Sequence, residues 1–270
     1  MAKTILITGA STGIGRATAL YFLAKGWNVA ATMRNPSTAE GFESHKRLKL
    51  YALDVLDEAS IDAAIAKAIS DFGRIDVLLN NAGYGALGPM EAATREQVAR
   101  QFDTNVTGLI AVMQAILPHF RSKKSGTIIN VSSIGGRITM PFYSLYHGTK
   151  WAVEGLTESL SFELAPLGIK MRLIEPGAIA TDFGGRSMDI LKKDGLSDYD
   201  DLFERFEKAR DEAVANSGTA LDVAKVIYKA ATDRSSRLRY LVGKDAKLFW
   251  RIRRIFGDRI IMRAIRARLG

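Results

Sequence analysis

Short apolar runs alternate along the chain with longer stretches in which apolar residues recur at helical spacing. This alternation predicts a parallel sheet covered by helices on both faces, which is a doubly wound α/β fold of three layers. The predicted strands are Thr4 to Thr8, Asn28 to Thr32, Leu48 to Leu53, Val77 to Asn80, Thr127 to Val131, Lys170 to Ile174 and Tyr240 to Val242. The predicted helices are Ile14 to Lys25, Ala59 to Phe72, Arg95 to Arg121, Leu145 to Leu167 and Leu221 to Thr232.

The chain shows clear helix ends but no linker that would separate two domains. Gly26, Gly73 and Gly168 follow three of the predicted helices, where a left-handed C-cap residue is common. No repeat and no Pro-, Gly- or Ser-rich linker divides the chain. We therefore predict one domain over residues 1–243, with an extension over residues 244–270.

The segment from Ala180 to Asn216 departs from the alternation. It is acidic and follows the sixth predicted strand, where ligands approach an open α/β sheet. We expect a mobile lid over a substrate here; the alternative is a solvated surface excursion.

The amino-acid composition excludes several kinds of functional site. The chain has 270 residues, and 47% of them are hydrophobic, which is enough to form a buried core. It has no cysteine and three scattered histidines, so disulfides and thiolate or histidine metal sites are not expected. The N-terminus lacks the pattern of a signal peptide, and no apolar run approaches the roughly 18 residues of a membrane span. A cytoplasmic protein is the expectation.

A glycine-rich turn follows the first predicted strand. It reads Thr8-Gly9-Ala10-Ser11-Thr12-Gly13-Ile14-Gly15 and leads into a helix. Such a turn lets the backbone and a helix N-terminus approach a pyrophosphate, so Gly9, Ser11, Thr12, Gly13, Ile14 and Gly15 are candidate nucleotide-binding residues. The alternative is an ordinary tight connection, in which glycine is also common.

The end of the second predicted strand indicates which nucleotide is bound. It reads Ala31-Thr32-Met33-Arg34-Asn35, with no carboxylate to bind a ribose 2′-hydroxyl. A guanidinium suits a 2′-phosphate, so Arg34 favours NADP(H) over NAD(H). The alternative is that Arg34 only stacks or is solvated.

A tyrosine and a lysine one helical turn apart supply candidate chemistry. The spacing Tyr-x-x-x-Lys occurs three times and is weak alone, but Tyr146 and Lys150 come after a predicted strand that leads directly into Ser132 and Ser133. Hydride addition to a carbonyl needs a proton donor and a hydroxyl that binds the developing oxyanion. An ammonium beside the phenol is expected to lower its pKa from about 10.

These residues resemble the short-chain dehydrogenase/reductase family over Lys3 to Gly243. The motifs that carry the resemblance are Thr8-Gly9-x-x-x-Gly13-x-Gly15, Leu53-Asp54-Val55, Asn80-Asn81-Ala82-Gly83, Asn105, Ser133, Tyr146-x-x-x-Lys150, and Pro176-Gly177 followed by Thr181. As an ordered set they are highly specific. The resemblance implies a Rossmann-like fold and a homodimer or homotetramer.

The resemblance also implies a role for each motif. Ser133 would polarise the carbonyl, Tyr146 would act as acid or base, and Lys150 would bind the ribose and tune the phenol. Asn105 would distort its helix and hold a water molecule that relays protons to Lys150. The implied cofactor contacts are Asp54 and Val55, Asn81, Ala82 and Gly83, Pro176 and Gly177, and Thr181, together with Tyr146 and Lys150.

Each residue has a plainer alternative. Asn105 could bond its own backbone, Asp54 could form a turn, and Ser133 could cap a strand end. His147 and Gly148 replace the small pair often found after the tyrosine, and we expect both to face away from the site. Apolar and aromatic residues suggest a hydrophobic substrate, unless half of them pack in the core: Ile138, Met140, Phe142, Tyr143, Phe183 and Met188.

The C-terminal extension is strongly basic. Lys244 to Gly270 contain nine basic and two acidic residues, which gives +7 of the chain's net +9. A basic amphipathic helix of this kind could pack on its own or a neighbouring subunit, lie on an anionic membrane, or bind acidic partners. Nucleic-acid binding is not expected, because the main body carries only +2.

The sequence thus predicts an NADP(H)-dependent carbonyl reductase or alcohol dehydrogenase that acts on a hydrophobic substrate. A catalytically silent nucleotide sensor of the same fold is the alternative.

Overall fold

A seven-stranded parallel sheet forms the centre of the protein. The computed structural model describes residues 2–180, 187–215 and 217–269, and it describes side chains as far as residue 267. Its strands are β1 Thr4–Ile7, β2 Asn28–Met33, β3 Leu48–Ala52, β4 Val77–Asn80, β6 Gly126–Val131, β7 Ile169–Pro176 and β11 Arg239–Val242. They stand in the order β11-β7-β6-β4-β1-β2-β3.

Helices cover both faces of this sheet, since its strands are apolar on both sides. The helices are α1 Gly13–Ala24, α2 Glu58–Phe72, α3 Arg95–Phe102, α4 Gly108–Lys123, α5 Ser144–Leu164, α6 Asp200–Ala215, α7 Ala220–Thr232 and α8 Lys244–Leu269. One core cluster joins the sheet to α2, α4 and α5, for example through Ile61, Val112 and Val153. The other joins it to α1 and α7 through Phe22 and Ile227. The predicted doubly wound, three-layered fold is confirmed.

The helix predicted from Arg95 to Arg121 is interrupted. A π-helical turn, Asp103–Thr107, separates α3 from α4. Asn105 lies at its centre, and its side chain bonds the backbone of Tyr84 instead of its own helix. A distortion at Asn105 was the expectation from the family resemblance, whereas hydrophobic periodicity alone predicted one continuous helix.

Within the described part of the chain, four short strands lie outside the central sheet, around the predicted lid. β5 Gly85–Leu87 pairs with β9 Met188–Ile190, and β8 Ile179–Ala180 pairs with β10 Gly218–Thr219. Strands of two or three residues are too short to give a periodic signal. The remainder of the lid segment includes α6, while residues 181–186 and 216 lie outside the described part of the chain.

The basic extension forms α8, which bends at Gly257. That residue has φ 74° and ψ −177°, values that break a helix and favour glycine. The helix packs on the body through Ala246 and Ile261, which are both buried. α8 is therefore anchored to the domain at its start and again after the bend.

Candidate active site

The glycine turn brings the start of α1 close to β1 and β4. Gly9 and Gly13 have φ of 65° and 54°, which other residues adopt only with strain. A Cβ on Gly15 would collide with the carbonyl oxygen of Gly9. Thr12, the N-cap residue, forms no side-chain cap, and Ser11 is exposed. The first amides of α1, including that of Ile14, are thus placed to meet an anion.

Thr8 and Asn81 bond the glycine turn to the end of β4. The Nδ2 of Asn81 donates to the carbonyl oxygens of Thr8 and Gly9, both at 3.0 Å. The Thr8 hydroxyl accepts from the backbone amides of Asn81 at 3.0 Å and Ala82 at 3.1 Å. Asn81, Ala82 and Gly83 therefore lie beside the turn, and Thr8 is a bracing residue whose role the sequence did not reveal.

The candidate contacts to the adenosine part lie at the ends of β2 and β3. The carboxylate of Asp54 accepts a hydrogen bond from the amide of Leu56 at 3.1 Å, so Asp54 forms the turn that was its plainer alternative. Val55 is buried and packs against Gly108. Arg34 is exposed, and no hydrogen bond or ion pair engages its side chain within the described ranges.

The turn after β7 is supported by α8. Ala178 donates its backbone amide to Asp245 Oδ2 at 2.8 Å. Gly177 donates to the carbonyl oxygen of Val242 at 2.9 Å, and a Cβ on Gly177 would collide with the Asp245 carboxylate. Pro176 and Gly177 are thereby fixed at the carboxyl edge of the sheet, whereas Thr181 lies outside the described residues.

Ser133 and Tyr146 meet at the carboxyl end of β6. The Ser133 hydroxyl accepts from the amide of Gly135 at 2.9 Å and forms a side-chain hydrogen bond with Tyr146. Tyr146 lies in the first turn of α5, so a strand end and a helix start converge on one point. This pair can bind and protonate a carbonyl oxygen.

The pKa of Tyr146 differs from the expectation. Burial raises it to about 12, and the hydrogen bond to Ser133 opposes that rise. Lys150 Nζ lies 5.6 Å from the centre of the Tyr146 ring but donates to the carbonyl oxygen of Val131 at 2.9 Å. The expected lowering by Lys150 is absent from this arrangement, because the ammonium is directed at β6 and burial dominates.

Lys150 is itself buried, which lowers its pKa to about 8, while the negative charge of Glu154 opposes the shift. An ammonium in such surroundings is poorly solvated and has a strong tendency to gain hydrogen-bond acceptors. Lys150 is thus placed to bind the hydroxyl groups of a ligand at this edge.

Asn105 joins three parts of the site. Its Oδ1 accepts from the amide of Tyr84 at 3.0 Å, and its Nδ2 donates to the carbonyl oxygen of Tyr84 at 2.8 Å and to Thr149 Oγ1 at 3.2 Å. A Cβ on Gly83 would come within 2.9 Å of Asn105 Oδ1. The buried asparagine therefore positions the strand after Gly83 against the helix that carries Lys150.

The expectation that His147 faces away from the site is wrong. His147 is buried, and its ring centre lies 5.8 Å from that of Tyr146. Its Nδ1 accepts from the amide of Met140 at 3.3 Å, and burial lowers its pKa to about 4. A Cβ on Gly135 would come within 2.5 Å of the ring, so the missing side chain makes the space that His147 fills. Gly148, by contrast, is partly exposed.

A buried charge cluster lies behind the site. Glu175 is 0% exposed, and burial together with the charge of Glu154 raises its pKa to about 7. Arg137 and Arg239 contact Glu175 at 3.5 and 3.3 Å. The guanidinium of Arg137 also stacks 3.3 Å from the ring centre of Trp250 in α8. No sequence pattern linked these residues, which come from separate elements.

An aromatic cluster extends from the site to α6. Phe142 lies 5.0 Å from Phe203 and 5.6 Å from Phe206, measured between ring centres. Tyr143 lies 5.8 Å from Tyr146 and 5.7 Å from Phe206. Ile138 is a core residue, as the alternative stated, whereas Met140 and Met188 join the aromatic cluster. Phe183 lies outside the described residues.

Curated relatives cover most of the chain. An uncharacterized oxidoreductase of Schizosaccharomyces pombe is 40% identical over 243 residues, which are 88% of this chain and 100% of the relative. The 3-ketodihydrosphingosine reductase of Bacteroides thetaiotaomicron is 37% identical over 89% of this chain and 88% of the relative. The human 17-beta-hydroxysteroid dehydrogenase type 1 is 33% identical over 89% of this chain and 77% of the relative.

Solved structures of similar proteins also cover most of the chain. A short-chain dehydrogenase from Streptomyces avermitilis matches with a TM-score of 0.77 and 32% identity, covering 91% of this chain and 89% of that one. ElxO with NADP bound matches with a TM-score of 0.71 and 32% identity, covering 89% of this chain and 98% of that one. A 3-ketoacyl-(acyl-carrier-protein) reductase from Brucella melitensis complexed with NADH matches with a TM-score of 0.73 and 27% identity. The match covers 88% of this chain and 96% of that one.

The family model described as short chain dehydrogenase matches residues 3–189. The chain therefore belongs to the short-chain dehydrogenase family and is an oxidoreductase that acts on CH–OH groups.

Proposed function

We propose that the protein interconverts a hydrophobic alcohol and its ketone or aldehyde, with NADP(H) as the hydride carrier. The observation that carries this proposal is the hydrogen bond between Tyr146 and Ser133, with Lys150 one helical turn further along α5. A phenol, a hydroxyl and an ammonium at one sheet edge are the groups that carbonyl reduction needs.

Tyr146 supplies the proton in this proposal. With a pKa raised to about 12, the phenol is protonated at neutral pH and is therefore a proton donor in the reducing direction. Ser133 holds the carbonyl oxygen beside it, since its hydroxyl already bonds Tyr146. When bound, the nicotinamide supplies the hydride.

Lys150 and Asn105 have supporting roles. Lys150 binds the ribose hydroxyls, because its buried ammonium is poorly solvated and gains hydrogen-bond acceptors from them. Asn105, bonded to Thr149, keeps the helix of Lys150 in register with the strand after Gly83. A water-mediated proton relay through Asn105 belongs to the same proposal.

The residues around the glycine turn fit a dinucleotide. The uncapped start of α1 leaves its first amides available to a pyrophosphate, and the absence of a Cβ at Gly15 lets the helix pack closely against Gly9. Asp54, Val55, Ala82, Gly83, Pro176 and Gly177 lie along the same edge. Arg34 is the observation that favours NADP(H), since an exposed guanidinium at the end of β2 fits a 2′-phosphate. Solved neighbours include both NADP and NADH complexes.

The aromatic cluster supports a hydrophobic substrate. Phe142, Tyr143 and Phe206 form an apolar wall that reaches Tyr146. Two relatives are named for a ketone of dihydrosphingosine and for a hydroxysteroid. Oxidation of NADPH should be followed with long-chain and polycyclic ketones, and with small polar ketones as a matched comparison. Turnover confined to the small ketones would contradict the proposed substrate class.

A further inference from the structure

The outward face of α8 combines cations with exposed apolar side chains. The exposed cations are Lys244, Lys247, Arg251, Arg254, Arg259, Arg263 and Arg266. The exposed apolar residues are Leu248, Ile255, Phe256, Ile260 and Met262. Among the described residues of α8, Asp258 is the exposed acid, and it is paired with Arg253 at 2.7 Å.

The inward face of α8 is already occupied. Trp250 stacks on Arg137, Ala246 and Ile261 are buried, and Ile265 joins the apolar cluster around Phe206. These contacts hold α8 against the domain, so its outward face keeps a fixed orientation. The exposed apolar residues of α8 therefore take no part in the packing of α8 on the domain.

The bend at Gly257 concentrates apolar surface at one corner. Ile255 and Phe256, directly before the bend, are 70% and 61% exposed. A Cβ on Gly257 would meet nothing within 4 Å, so this glycine is suited to its backbone conformation and not to a close contact. Two adjacent large apolar side chains project there, with Arg254 and Arg259 on either side in sequence.

We propose that the outward face of α8 docks on an anionic membrane surface. Ile255 and Phe256 would enter the boundary between head groups and acyl chains, while the neighbouring arginines contact lipid phosphates and carboxylates. No helix in the described part of the chain is both long and apolar enough to cross a membrane. The helix thus lies on the surface, and this inference does not depend on the proposed reaction.

Charge complementarity favours an anionic membrane over a second copy of the chain or a nucleic acid as the partner of α8. A twofold contact between copies would bring the cations of α8 against themselves, which costs free energy. Nucleic acid would satisfy the cations but would leave Ile255 and Phe256 exposed to water. An anionic bilayer accepts both classes of side chain.

Cosedimentation of the full-length protein with lipid vesicles tests the proposal. We expect binding to phosphatidylcholine vesicles that contain about 30% phosphatidylserine and little binding to phosphatidylcholine alone. Added duplex DNA should leave the bound fraction unchanged. Equal binding to both vesicles, absence of binding, or displacement by DNA would each overturn the proposal.

A charge variant tests the role of the cations. Arg251→Gln/Arg254→Gln/Arg259→Gln should bind anionic vesicles at least about tenfold more weakly, because each cation near an anionic surface adds to the electrostatic attraction. Its thermal unfolding midpoint should match the wild type, since the three side chains are exposed.

The matched control removes the same charge elsewhere. Arg95→Gln/Arg121→Gln/Lys123→Gln neutralises three exposed cations outside α8 and should leave vesicle binding within about threefold of the wild type. Equal weakening in both variants would show an effect of net charge alone and would overturn the assignment to α8.

An apolar variant tests insertion at the corner. Ile255→Ser/Phe256→Ser should lose at least about tenfold in vesicle affinity, whereas Leu56→Ser/Leu167→Ser, at exposed apolar positions outside α8, should not. Analytical ultracentrifugation without lipid provides the second readout. If the apolar variant dissociates an oligomer and leaves vesicle binding unchanged, the corner is a contact between copies and the proposal fails.

Discussion

The Asp245 carboxylate accepts a hydrogen bond from the backbone amide of Ala178 at 2.8 Å. This bond joins the first turn of α8 to the turn after β7, where Pro176 and Gly177 lie. The basic C-terminal helix therefore also supports the carboxyl edge of the sheet, where we propose that the cofactor binds.

Removal of the Asp245 carboxylate should weaken nucleotide binding. Asp245→Ala leaves the Ala178 amide without its acceptor, and loss of a hydrogen bond to a charged group costs roughly 1.5–3 kcal/mol. We expect the dissociation constant of the nucleotide, measured by fluorescence titration, to rise about tenfold. Lys247→Ala, an exposed change on the same helix, is the control, and equal affinities in the two variants would contradict this role of Asp245.

Arg34 should set the choice of nucleotide. Arg34→Ala should raise the KM for NADPH by about 10- to 100-fold, since charge-assisted bonds to a phosphate are lost, while the KM for NADH changes little. Steady-state kinetics with both nucleotides measures the ratio. Arg95→Ala controls for the loss of one exposed positive charge. A parallel loss with NADH and NADPH would argue against a contact to the 2′-phosphate.

His147 should make stability depend on pH. Burial lowers its pKa to about 4, from about 6.5 for an exposed histidine. Between these values the unfolded chain binds a proton that the folded protein does not, so the unfolding free energy falls as the pH is lowered. At pH 5 this loss amounts to about 2 kcal/mol relative to pH 7.

Urea unfolding of His147→Gln at both pH values isolates this contribution. The loss between pH 7 and pH 5 should be about 2 kcal/mol smaller in the variant than in the wild type. An identical loss in the two proteins would mean that carboxylates account for the acid sensitivity and that His147 does not.

Asn105 should contribute to stability as well as to the site. Asn105→Ala removes the acceptor of the Tyr84 amide, while the Tyr84 carbonyl keeps the hydrogen bond that Gln101 donates. We expect a loss of roughly 1–3 kcal/mol in urea unfolding, the cost of one unsatisfied buried group. Asn35→Ala, which removes an exposed cap, should cost about 1 kcal/mol or less. A smaller loss for Asn105→Ala than for Asn35→Ala would contradict the bracing role.

The sheet and its covering helices were predictable because most of the strands are short, largely apolar runs and the helices that cover them carry an apolar face. Elements such as β8 and β10 were not, since two residues give no period. The position of the π turn followed from the family resemblance and not from periodicity, which is nearly continuous across Asn105.

The candidate site divides in the same way. Ser133, Tyr146 and Lys150 were predictable as a group because a strand end and a helix start bring them together. The contact between Asp245 and Ala178 joins residues far apart in sequence, and no local pattern indicates it. His147 was misjudged because its burial depends on space left by Gly135, and the raised pKa of Tyr146 depends on burial that sequence spacing does not reveal.

The turnover of Tyr146→Phe, measured as NADPH oxidation with a hydrophobic ketone that the wild type reduces, tests the central claim most directly. The account predicts that kcat falls by about 10²- to 10⁴-fold, while the dissociation constant of NADPH stays within about threefold of the wild type. A variant that keeps nearly the wild-type kcat would contradict Tyr146 as the proton donor. Tight NADPH binding by a wild-type protein that turns over no ketone would instead favour a nucleotide sensor.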